Sequence, residues 1–75
     1  MTEEQSPEAL VRQLKEITLA YEELDAAIDA LLAKYGGHSD NMPQDAYDRY
    51  RALAAQRADA YNRMKALERA LFDDV

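Results

Sequence analysis

The sequence predicts an all-α protein, an antiparallel αα-hairpin of two long helices that dimerises into a four-helix bundle or coiled-coil assembly. Three observations lead there. Fourteen Ala and nine Leu stand against only four Val and Ile together, a composition that favours helices and gives strands little to use. One Gly-containing break, Gly36-Gly37-His38-Ser39-Asp40-Asn41, separates two long segments that lack Gly and Pro beyond their opening turns. Apolar residues recur at helical spacing through both segments. The expectation is a single domain over residues 1–75, with helix 1 over about 7–35, a loop over 36–41 and helix 2 over about 42–72.

Helix 1 should open at Ser6-Pro7-Glu8, where Ser caps the free amides, Pro fits the first turn and Glu meets the positive end of the helix dipole. Its apolar positions are Leu10, Leu14, Ile17, Tyr21, Leu24, Ile28, Leu31 and Tyr35, steps of four and three in unbroken alternation, which is a coiled-coil seam. Glu16, Glu22, Glu23 and Asp29 lie off that seam, and Ala20 and Ala27 flank it so that a neighbour can approach closely. Gly36 supplies the left-handed residue that ends the helix.

Helix 2 should open at Asn41-Met42-Pro43-Gln44, with Asn41 as cap and Gln44 reaching back as a capping box. Its apolar stripe is broader than that of helix 1. Tyr50, Arg57, Met64 and Leu71 form the central row, with Ala46, Leu53, Ala60 and Leu67 on one flank and Tyr47, Ala54 and Tyr61 on the other. A loop this short makes the helices antiparallel neighbours. If Tyr35 lies beside Pro43, facing residues have numbers that sum to about 78, which sets Leu14 by Met64, Ile17 by Tyr61, Tyr21 by Arg57 and Ile28 by Tyr50. Two helices cover only one side of each stripe, so a second hairpin is expected to cover the rest.

Composition narrows the chemistry. With no Cys there is no disulfide framework, thiolate zinc site or cysteine nucleophile, which suits a reducing cytoplasm. The acidic start MTEEQSPE is the opposite of a basic signal or transit peptide, and no apolar run is long enough for a membrane span. A net charge of −6 argues against nucleic acid and anionic membranes as partners. The acids and bases are also unevenly shared: residues 7–35 carry six acids and three bases, residues 42–75 six of each.

No catalytic constellation converges. His38, the only histidine, sits beside Ser39 and Asp40 in the turn, where nothing holds a nucleophile and base in reach of each other, so it reads as a solvated loop residue. A carboxylate-bridged metal site needs inward acids and a Glu-x-x-His pair on helices, whereas here the acids lie off the seam and neither helix contains His. Ser39-Asp40-Asn41 lacks the alternating ligands of a calcium loop. No enzyme activity, cofactor, metal or small-molecule substrate is expected.

Arg57 alone interrupts the central row of helix 2. One reading packs its stem on Tyr21 and sends its guanidinium to Glu22 or Asp25; the other turns it outward as an anchor for a partner. Arg51, Lys65 and Arg69 fall on one flank of helix 2 beside Tyr47 and Tyr61, a basic stripe interleaved with aromatics. Salt bridges to Glu16, Glu22 and Asp29 would occupy it internally; left free, it suits phosphates and bases. The hairpin plan resembles that of Rop-type bundles, which as a group bind RNA through a polar face. That resemblance is one of architecture, without a shared residue motif, and carries no site to this chain.

The functional expectation is therefore a non-enzymatic protein–protein interaction module, cytoplasmic and homodimeric. It would act as adaptor, scaffold or inhibitor by binding a partner protein through Arg57, Tyr47, Tyr61, Arg51, Lys65 and Arg69. The alternative is a Rop-like RNA-binding regulator that uses the basic stripe.

Overall fold

The computed structural model describes residues 6–73. Two helices, α1 over Pro7–Lys34 and α2 over Gln44–Asp73, pack side by side along their length, and a single 3-10 turn over Ser39–Asn41 lies between them. The result is a rod with extents of 49 × 16 × 16 Å. Among the described residues there is no strand, and no helix is long and apolar enough to cross a membrane.

The start of α1 follows the sequence closely. Ser6 is the cap, its hydroxyl oxygen accepting from the Ala9 amide at 3.1 Å, and Pro7 fills the first position, where its missing N–H costs nothing. At the other end the Gly37 amide donates to the Leu32 carbonyl at 2.8 Å and the Gly36 amide to the Ala33 carbonyl at 3.4 Å. This crossed pair satisfies carbonyls that the last helical turn leaves open. It requires φ of +77° at Gly36 and +86° at Gly37, the left-handed region that glycine enters without strain.

The start of α2 departs from expectation. Asn41 does not cap it: its side-chain amide reaches back to the Tyr35 carbonyl at 3.3 Å and so finishes α1 instead. Gln44 reaches forward to Asp48 at 2.8 Å instead of closing a capping box. The first intrahelical bond runs from the Tyr47 amide to the Pro43 carbonyl, so α2 begins at Gln44, two residues after the predicted start at Met42. An Asn side chain offers both a donor and an acceptor, and here the nearer open carbonyl takes the donor.

The seam of α1 is the predicted one: Leu10 and Ile28 are buried and the other six positions are half-buried. On α2 one of the two flanks is chosen. Residues 46, 50, 53, 57, 60, 64, 67 and 71 turn toward α1, again in steps of four and three, with Ala60 buried, while Tyr47 and Tyr61 stay exposed. The small Ala60 is the seam residue of α2 that is buried, at 5 % exposure.

The register is one turn away from the predicted one. Asp25 meets Arg57, Thr18 meets Met64 and Tyr21 meets Tyr61, pairs whose numbers sum to 82 instead of 78. Side chains on a helix lean toward its N-terminus, which is away from the turn on α1 and toward it on α2. Each tip therefore covers a point one or two residues before its own Cα, and the two leans together raise the contact sum by about a turn.

Candidate functional site

The six residues singled out in the sequence occupy two settings. Arg57 lies on the α2 seam, and one guanidinium nitrogen donates to a carboxylate oxygen of Asp25 on α1. The two side chains retain 34 % and 46 % exposure, so the pair is bathed by solvent along one edge. The acid is one of the two foreseen, but the aromatic contact is not: Tyr21 pairs with Tyr61, ring centroids 6.2 Å apart and planes tilted by 45°, a geometry favourable to aromatic rings.

The other five residues form the outer flank of α2. Lys65 stands 5.6 Å above the Tyr61 ring and also reaches Glu68 at 3.5 Å, one turn on. Tyr47 leans on Tyr50 with centroids 6.2 Å apart. Arg51 and Arg69 are exposed, and among the described residues the ion pairs are Asp25–Arg57 and Lys65–Glu68. The expected bridges from this flank to Glu16, Glu22 and Asp29 are therefore not made. Glu16, Glu22 and Asp29 are all exposed on α1.

The structure adds members that the sequence reading passed over. Phe72 is 74 % exposed, Leu19 60 % and Val11 42 %; with Tyr47 and Tyr61 they are the large apolar side chains open to water among the described residues. Val11 and Leu19 interrupt no charge run and fall off the seam, so an apolar residue out of phase with the heptads was the available signal. Leu14, Lys15, Thr18, Leu19 and Glu22 line a shallow depression on α1, and Tyr21, Ala54, Arg57, Ala58 and Tyr61 line another between the helices.

Between the arms the Thr18 hydroxyl donates to the Met64 sulfur at 3.3 Å, a half-buried polar contact in a seam otherwise apolar at that level. His38 is exposed in the turn, its backbone extended ahead of the 3-10 turn. These surfaces offer apolar contact, ring faces and fixed charge along a rod. Compared with known protein families, curated proteins and solved structures, the chain matches none.

Proposed function

We propose that the chain is a non-enzymatic interaction module, an acidic helical hairpin that pairs with a second copy into a four-helix bundle and binds a partner protein through a helix face. One observation carries the reading. Along both seams only Leu10, Ile28 and Ala60 are buried, and every other seam side chain remains half-exposed although the helices pack along their whole length. A chain of this size without a disulfide or metal gains stability chiefly by covering such surface against another molecule. The net charge of −6 suits a basic target, and occupation of a basic nucleic-acid-binding site on that target is one concrete form of inhibition.

The test is affinity purification from the native host with wild type and with Leu19→Ala and Leu19→Asp, at an exposed apolar residue off the seam of α1. A partner that is retained by wild type and lost from variants with unchanged melting supports the reading. A chain that stays at 8.5 kDa and retains nothing overturns it.

A second reading, RNA binding, is favoured by Arg51 and Arg69, which make no ion pair among the described residues, beside exposed Tyr47 and Tyr61. Three phosphate contacts from Arg51, Lys65 and Arg69 to a single strand would give a slope of about −2 in log affinity against log salt. A flat salt dependence excludes it.

A further inference from the structure

We propose that the second copy of this chain packs on one particular side of the hairpin, with the two-fold axis parallel to the helices and both turns at the same end; this rests on the self-pairing half of the reading above. The surface lies one residue beyond each seam. A step of one residue turns the helix by about 100°. Because α1 and α2 run in opposite directions, that step brings both helices' next row to the same side of the rod, the side on which Arg57 meets Asp25 and Tyr21 meets Tyr61. Val11, Tyr47, Tyr61 and Phe72, four of the five exposed large apolar residues, lie there. A helix in a four-helix bundle touches two neighbours on faces about this far apart.

Size agrees. A side measuring 49 × 16 Å covers roughly 800 Å² on each copy, the area of a standard specific interface.

Charge selects the arrangement. An axis parallel to the helices carries α2 of the second copy opposite α1 at the height its own α2 already occupies, so the contact sum near 82 applies between copies and the register is not adjustable. On that rule Val11 faces Phe72 and Lys15 faces Glu68 of the second copy, while Asp29 lies within about a turn of its Arg51 and Glu22 about one and a half turns from its Lys65. Read toward the turn, the signs run plus, minus, minus on α1 against minus, plus, plus on α2. Turns at opposite ends would instead lay α1, with six acids against three bases over residues 7–35, on α1 of the second copy. Arg51 and Asp29 are both exposed and have no ion-pair partner within the described hairpin, so they are available for this contact.

Sedimentation equilibrium on wild type, Arg51→Glu, Asp29→Lys and the double variant tests this, with far-UV circular dichroism to confirm that each stays helical. The expected result is a wild-type mass of about 17 kDa, twice 8.5 kDa, a dissociation constant raised at least about tenfold in each single variant, and recovery in the double variant. Loss in the single variants without recovery in the double overturns the shared-end arrangement. A wild-type dimer indifferent to both changes overturns the surface and leaves self-pairing intact. A wild-type mass of 8.5 kDa at every concentration overturns both. A monomer that instead loses a retained partner on Arg51→Glu assigns the side to that partner and also overturns the proposal.

Discussion

Arg57 shows how a single polar residue is accommodated in an apolar seam. Its stem contributes hydrocarbon to the contact with α1 while its head group emerges at the edge to meet Asp25. Because both members keep a third or more of their surface in water, the pair contributes between nothing and about 1 kcal/mol. Replacement by Met keeps the length, removes the cost of holding a charge in the seam and strands only an acid that water can serve. The expected outcome for Arg57→Met is a melting temperature equal to or above wild type, measured calorimetrically. A loss of about 2 kcal/mol or more would show that the guanidinium supports contacts beyond Asp25. The choice of Asp25 was legible in the sequence as one of the two acids, Glu22 and Asp25, that follow Tyr21 within a turn. The loss of the Arg57–Tyr21 stacking was not, because it depends on the one-turn shift that hands Tyr21 to Tyr61.

At the level of the helix, α1 was readable and α2 only half so, for one reason. In α1 the large apolar residues occupy the heptad positions almost alone, and periodicity names the buried face without ambiguity. In α2 alanines lie on both flanks and tyrosines on one, and period alone cannot decide between Ala60 and Tyr61; the fold buries Ala60 and leaves Tyr61 44 % exposed. The register escaped for a different reason, as it depends on the direction in which side chains lean and not on their order along the chain. Within α1 the seam is not uniform. Ile28 is 2 % exposed, whereas Leu24, one step earlier, is half-buried. Ile28→Ala should therefore cost about 2 to 5 kcal/mol, enough to unfold much of a small domain, and Leu24→Ala distinctly less in the isolated hairpin. Urea titrations of the two variants at low micromolar concentration give the comparison directly. Equal losses would mean that Leu24 is covered by something other than α2.

For the molecule as a whole, the balance of forces is that of a structure with a long, thin contact and no thick interior. A rod 16 Å across places nearly every residue within one side chain of water, so apolar burial per residue is small while the ordering cost per residue is not. If a second copy associates as proposed, that balance changes, and the stabilising effect must rise with protein concentration. The midpoint of thermal unfolding is expected to climb as the concentration is raised from about 1 to about 100 μM. A midpoint that does not move would show that the hairpin holds itself together alone.

The turn that joins the helices has a kinetic consequence. It is closed onto the end of α1, by the crossed amides of Gly36 and Gly37 and by Asn41 reaching back to the Tyr35 carbonyl, so chain reversal is settled by residues close in sequence. Every later contact lengthens the closed segment, and each doubling of that length costs about 0.6 kcal/mol in chain entropy. Folding should therefore zip from the turn toward the open end. In a chevron analysis Ile28→Ala is expected to slow refolding, while Leu10→Ala, equally buried but at the far end, mainly speeds unfolding. The same amides and the same asparagine that end one helix thus set the order in which the pair assembles.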